Sequence, residues 1–280
     1  MTTEAKSTAI RWTRDDDGVV TLTIDDPSSS ANTMNTAYIE SMEASVARLE
    51  AERETITGVI LASAKKSFFA GGDLQMLREG SRDNVQEQTT RIERVKDHFR
   101  RLERLGRPVV AVIGGAALGG GLEVALAAHH RIVADVPGVQ IGCPEVTLGL
   151  LPGAGGITRT VRMLGLQRAL TEVILTGAKY RPKDALKVGL VDEVVDSVDE
   201  LVPRAKAWIA ASSLLVSPGG SRPSMRRLVA ICASTSPCSA VGGSPPRSRS
   251  SSWSRVMEET GGGVRPAWPR AQAVCTNTCS

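Results

Sequence analysis

The stretch from Pro108 to Glu145, PVVAVIGGAALGGGLEVALAAHHRIVADVPGVQIGCPE, constrains this chain more than any other part of it. An apolar, β-prone run from Pro108 to Ile113 passes through Gly114, Gly115 and Gly119 to Gly121 into an Ala/Leu-rich helix. That helix is expected to begin near Gly120 and to carry Glu123 in its first turn. A helix start leaves backbone N–H groups unpaired, with the positive end of the helix dipole behind them. It can therefore hold an oxygen that gains negative charge during a reaction. A second β-prone run, Arg131 to Val136, and a Gly/Pro turn then deliver Glu145, framed by Pro144. Taken singly, Glu123 reads equally well as an acid stabilised by a helix dipole, and Glu145 as a loop acid facing water. Taken together with the glycines, the two form a candidate pair of catalytic carboxylates.

Upstream, Thr8 to Thr13 and Gly18 to Ile24 read as a hairpin turning at Asp15 to Asp17. The polar loop Asp25 to Asn35 follows. Apolar residues at Ile39, Met42, Val46 and Leu49 predict a helix over Thr36 to Glu54, and Thr57 to Ala62 reads as a buried strand. Strand, helix, strand implies a crossover unit. In Ala70-Gly71-Gly72-Asp73-Leu74, paired glycines let backbone N–H groups approach a ligand, and Asp73 can cap the helix after it. By itself this is equally a glycine turn with an N-cap. Asp83 to Leu105 predicts a long charged helix with a sparse apolar stripe, and His98 within it has no ligand pattern around it. Helices are expected over Gly156 to Leu164, Leu166 to Leu175, from Arg181, and over Val198 to Ala211.

Ala70-Gly71-Gly72-Asp73-Leu74, Gly119-Gly120-Gly121-Leu122-Glu123 and Cys143-Pro144-Glu145, in this order along the chain, resemble the motifs of the crotonase (enoyl-CoA hydratase/isomerase) superfamily. ALGGGLEVALAAHHRI, GLLPGAGGITRTVRMLG and GAKYRPKDALKVGLVDEVV are similar, more narrowly, to the N-terminal hydratase part of multifunctional fatty-acid oxidation α subunits. The likeness runs from about Thr8 to Ala211. It implies an α/β, crotonase-like fold, a spiral of repeated ββα units. It also implies addition of water to trans-2-enoyl-CoA to give 3-hydroxyacyl-CoA in fatty-acid β-oxidation, with an enoyl-CoA isomerase activity available to Glu145. Under the resemblance, Gly72 and Gly120 donate their N–H groups to the thioester oxygen, Glu145 protonates C2, and Glu123 holds and activates the water. Asn32, Ala70, Gly71, Asp73, Leu74, Gly119 and Pro144 then belong to the surface that receives the CoA substrate. No separate cofactor and no metal are expected, coenzyme A being part of the substrate.

Charge divides the chain. Residues 1–212 carry 26 Lys+Arg against 28 Asp+Glu, whereas residues 213–280 carry eight Arg and two Glu. The basic excess belongs to the tail, so nucleic acid is not expected as a partner of the body. No apolar run approaches a membrane span, and the N-terminus lacks a signal-peptide core, so a soluble cytoplasmic protein without a membrane partner is expected. Four of the five cysteines lie in the tail with no CxxC pair, against a disulfide framework or a zinc site. The first 212 residues are read as the hydratase domain. Residues 213–280, with 14 Ser and no Lys, Asp, Phe or Tyr, are read as a disordered or aberrant Ser/Arg/Pro/Gly-rich tail. A reading frame shifted near codon 212 would produce such a composition. Relatives carry helices there that close the site and build trimers, so a homotrimer or a fatty-acid oxidation complex is expected only with an intact C-terminus. The alternative is a truncated remnant that keeps the fold but not assembly or activity. A P-loop and a Rossmann fingerprint are excluded, because Lys-Ser/Thr does not follow the glycines and Val124 stands where a third glycine is needed. No GxSxG elbow is present.

Overall fold

The structure is a computed structural model that describes residues 8–72 and 85–213. Strands β1 (Ile10–Arg14) and β2 (Val19–Ile24) form the expected hairpin, Ile10 opposite Ile24 and Arg14 opposite Val20. Asp15 closes its turn by accepting the Val19 N–H at 2.8 Å. Helix α1 (Thr36–Ala51) starts at Asn35, whose side chain caps the Tyr38 N–H, and buries Tyr38, Ile39, Met42, Val46 and Leu49. It stops short of the expected Glu54 because Arg53–Thr55 tightens into a 3-10 turn, with the Thr55 N–H and hydroxyl both on the Glu52 carbonyl.

Strand β3 (Gly58–Ser63) lies parallel to β2. Helix α2 (Val85–Arg104) buries Val95, His98, Phe99 and Leu102, so a histidine completes a stripe that looks sparse from the apolar residues alone. Burial pushes the His98 imidazole below its usual pKa. There follow β4 (Val109–Ile113), β5 (Ala117–Leu118), α3 (Gly120–Leu126), β6 (His130–Ala134) and β7 (Ile141–Gly142). A 3-10 turn spans Pro144–Leu148. After it come α4 (Gly156–Leu164), α5 (Leu166–Arg168), β8 (Lys179–Tyr180), α6 (Pro182–Val188), β9 (Glu193–Val195) and α7 (Leu201–Ser213). The helix expected over Leu166 to Leu175 is not continuous: Ala169–Ile174 winds as a π-helix. There the Glu172 carbonyl accepts from the hydroxyls of Tyr180, at 2.5 Å, and Thr176, at 2.9 Å.

Six strands form one sheet in the order β1-β2-β3-β4-β6-β9, parallel from β2 onward. A second, smaller layer has the order β5-β7-β8 and is extended by the single bridges Phe69 to Ala117 and Met34 to Gly72. Successive turns of chain thus place a long strand in the first layer, a very short one in the second, and then a helix. This is the mixed α/β spiral expected of the crotonase fold. Two-residue strands have no period to read, which is why β5, β7 and β8 escape sequence patterning.

The two faces of the long sheet alternate. Val109, Ala111 and Ile113 of β4 enter the main core with α1, α2 and α3, whereas Val110 and Val112 face α7 through Leu201, Ala205 and Ile209. His129 and His130 are packing residues: the His129 Nδ1 accepts the Val109 N–H at 3.0 Å, and the His130 ring stacks on Trp208 at 4.5 Å. No helix among the described residues is long and apolar enough to cross a membrane. Asp73, Leu74 and residues 214–280, for which roles or character are expected above, lie outside the described residues.

Ile209 is fully buried over Gly58, so truncating it should loosen α7 from the sheet. Ile209→Ala is expected to cost about 2–5 kcal/mol, read as a lower urea midpoint at an unchanged m-value.

Candidate active site

Main chain makes the first wall of the site. The loop at 69–72 runs against the N-terminus of α3, with the Met34 methyl group beside the contact. A methyl group at Gly71 would lie 3.7 Å from the Gly120 nitrogen and 3.1 Å from the Leu118 carbonyl oxygen; one at Gly120 would lie 3.3 Å from the Gly71 carbonyl carbon. Any side chain at Gly121 would overlap the Phe69 carbonyl. Gly119, the N-cap of α3, has φ +55° and ψ −122°, a backbone shape that strongly favours glycine. No side chain caps this helix, so its first amides have no partner of that kind. The Gly71 carbonyl accepts from the Met34 N–H at 3.0 Å, and the Ala70 N–H donates to the Asn32 carbonyl at 2.8 Å, so three separate segments meet here. Gly72 and Ala70 are exposed, and Gly71 is buried.

The two acids stand beside that wall. Glu145, opening the 3-10 turn after Pro144, lies against Gly119, whose methyl position is 2.8 Å from its Oε1. Its Oε2 is buried and accepts no hydrogen bond among the described residues. Burial therefore raises the pKa of its carboxyl. Glu123 is deeper, 3% exposed, and its Oε1 accepts the Gly156 N–H at 2.7 Å from the start of α4. Burial pushes it up to about 7, and the neighbouring Glu145 charge adds to this. Backbone donors at Gly156 and Ala154 and the positive charge of Arg159 oppose the rise. Cys143, between the acids in the chain, is buried, and its thiol is pushed well above its usual range by burial first and by both glutamates second.

The structure brings Gly71 against Gly120 and Glu145 against Gly119, with the Glu145 charge felt at Glu123; Ala70, Gly72 and Pro144 adjoin these residues in the chain. Asn32 is set apart by its side chain, which is fully buried. Its amide donates to the Ile24 carbonyl at 3.0 Å and the Ser63 hydroxyl at 2.9 Å, and its oxygen accepts the Asp26 N–H at 3.1 Å. Asn32 thus shapes the loop, its amide also reaching the Phe68 carbonyl at 3.4 Å while its own carbonyl receives the Ala70 N–H. Sequence reading did not single out Met34; under the family resemblance the Thr147 to Gly156 loop packs beside the second glutamate, and in the structure its Ala154 to Gly156 bend serves Glu123 through the Gly156 N–H. The bend carries the same signal as the first site, adjacent glycines running into a helix. Among the described residues no group of three or more His, Cys, Asp or Glu is placed to hold a metal.

The sequence model of a family described as enoyl-CoA hydratase/isomerase matches residues 14–217. The fatty acid oxidation complex subunit alpha of Idiomarina loihiensis is 45% identical over 181 residues, covering 64% of this chain and 25% of that protein. The subunit of the same name from Aliivibrio fischeri is 40% identical over 190 residues, 68% of this chain and 27% of that protein. The chain spans about a quarter of the length of these curated relatives. Among solved structures, the enoyl-CoA hydratase of Bacillus anthracis superposes with a TM-score of 0.65 at 30% identity, covering 73% of this chain and 77% of that one. Pseudomonas aeruginosa DspI superposes with a TM-score of 0.66 at 27% identity, covering 82% and 86%.

The buried acid gives stability a pH dependence of defined sign. Folding holds Glu123 at about 7 against an ordinary 4.5, so its stabilising share is fully present below about 4.5 and is lost as pH rises through 7. Urea unfolding of Glu123→Gln beside the parent should show the variant gaining about 3 kcal/mol relative to the parent between those limits.

Proposed function

The chain belongs to the enoyl-CoA hydratase/isomerase family, and from that premise we propose that it hydrates trans-2-enoyl-CoA to 3-hydroxyacyl-CoA. The observation that carries this reading is the meeting of the Gly71–Gly72 loop with Gly120 beside a pair of acids in unequal surroundings. Addition of water across the C2–C3 double bond builds negative charge on the thioester oxygen. Two amides, at Gly72 and Gly120, would receive that oxygen, and preorganised donors of this kind are worth on the order of 10² in rate each. Glu123 takes a proton from the water as its oxygen bonds to C3, and Glu145 gives a proton to C2. The pair ends with its proton moved from one acid to the other and is reset by exchange with solvent.

The working form is the pair carrying one proton. Two coupled carboxyls titrate in two steps that belong to both, so activity should peak between those steps. In the form with Glu145 ionised, its carboxylate can also take a proton from C2 of a 3-enoyl thioester and return it at C4, an isomerase activity that leaves the carboxylate as it began. Transfer from a 3-enoyl to a 2-enoyl thioester would show it. The fatty acid oxidation complex named for the relatives in the preceding subsection motivates a further proposal, assembly with a partner subunit.

Hydration of crotonyl-CoA, followed by loss of the conjugated thioester's absorbance, tests the reading. Parent protein should turn over, and Glu145→Gln should lower kcat by roughly 10² to 10⁴, with far less change in KM. Background rates in the parent, unchanged by Glu145→Gln, would contradict it.

A further inference from the structure

Arg159 stands one turn into α4 and takes no part in the reaction just described. Its side chain is only 10% exposed, and two of its three nitrogens have the partners that follow. Nε donates to Glu103 Oε1, from the last turn of α2, at 2.8 Å. One terminal nitrogen donates to the Ala154 carbonyl at 3.3 Å, and the guanidinium lies 5.5 Å from the centre of the Phe99 ring. The same nitrogen fills the space in which a side chain at Gly155 would begin. Glu103 is anchored in turn. Since the His129 Nδ1 accepts from Val109, its Nε2 carries the proton and donates to the Glu103 carbonyl at 3.1 Å. A rigid path therefore runs from the sheet, through His129 and Glu103, to Arg159 and the bend at Ala154 to Gly156. That bend is the one whose amide reaches Glu123.

We propose that Arg159 is a positioning residue for Glu123: its fork fixes the Ala154–Gly156 bend against Glu103, holding the Gly156 N–H on the carboxylate. The inference rests on the acid-pair reading and adds to it a group that opposes burial in setting how tightly Glu123 holds a proton. Burial by itself favours the proton on Glu123, the deeper acid. Of the ionisable groups acting on it, Glu145 works in the same direction and the Cys143 thiol is held neutral. The guanidinium is the full positive charge opposing them, and Glu103 offsets part of that charge while aiming it. A lysine would keep the charge but cannot hold the Glu103 carboxylate and the Ala154 carbonyl at fixed angles.

Glutamate labelled with ¹³C at the side-chain carboxyl reports the titration directly, the Glu123 resonance being identified by its loss in Glu123→Gln. This readout works whether or not the chain hydrates an enoyl-CoA. The parent midpoint is expected near 7. Arg159→Gln should raise it by about half a pH unit or more, with Arg159→Lys between the two. Deuterium exchange at the Gly156 amide should quicken in both variants. In the hydration assay the acid limb of kcat/KM should move with the NMR midpoint. An unmoved midpoint in folded Arg159→Gln, or unchanged Gly156 exchange in Arg159→Lys, overturns the proposal. Should Arg159→Gln not fold, Arg159→Lys decides through Gly156 exchange alone. A parent that never hydrates crotonyl-CoA yet shows the shifted midpoint would remove the proposed reaction and leave the positioning role standing.

Discussion

Backbone meets backbone where the 69–72 loop crosses the N-terminus of α3, and the rest of the site is arranged around that contact. The Phe69 carbonyl sits where any side chain on Gly121 would begin, and one on Gly120 would press on the Met34 methyl at 3.1 Å and the Gly71 main chain at 3.3 Å. Such an approach requires both segments to be stripped of Cβ atoms and rigidly supported from behind. The support comes from Phe68, Phe69 and Leu122, all fully buried, and from β4, whose alternate side chains tie the two faces of the sheet to α3 and α7. Held in this way, amides from two distant parts of the chain share one small space.

Placing an acid behind such a wall is costly in itself. A carboxylate removed from water loses its solvation, and the protein replaces it only in part, with one short hydrogen bond from Gly156 and the field of Arg159. Glu145, closer to solvent, loses less but has an oxygen with no partner among the described residues. The outcome is two neighbouring acids whose affinities for a proton lie above the ordinary range for different mixtures of reasons. This is the physical condition under which one proton can be shared and moved. His129 and Glu103 belong to the same structure although neither approaches the acids, because they determine where the guanidinium points.

Much of this was legible beforehand. The spacing of Ile39, Met42, Val46 and Leu49 forecast α1, and the unbroken apolar runs at Val59 to Leu61 and Val109 to Ile113 forecast strands covered on both faces. Glycine runs and the acids after them marked the site, since glycine at a helix start is informative only where something must come close. What escaped had no local signal. β5, β7 and β8 are each two residues long and exist only because neighbouring strands present edges to them. The π-helical turn depends on Tyr180 reaching back to Glu172. The side chain of Asn32 shapes its loop through Ile24 and Ser63, and no local spacing announces those partners.

From the order of residues alone came the strand and helix alternation, the pairing of glycine loops with acids and the family likeness, because each is carried by short-range spacing or by local backbone freedom. Tertiary structure decided which glycines touch, which acid lies deeper and which cation faces it. Burial and the approach of Arg159, anchored by Glu103 on a helix far away in the chain, are properties of packing, and a carboxyl's proton affinity follows its surroundings rather than its neighbours in sequence.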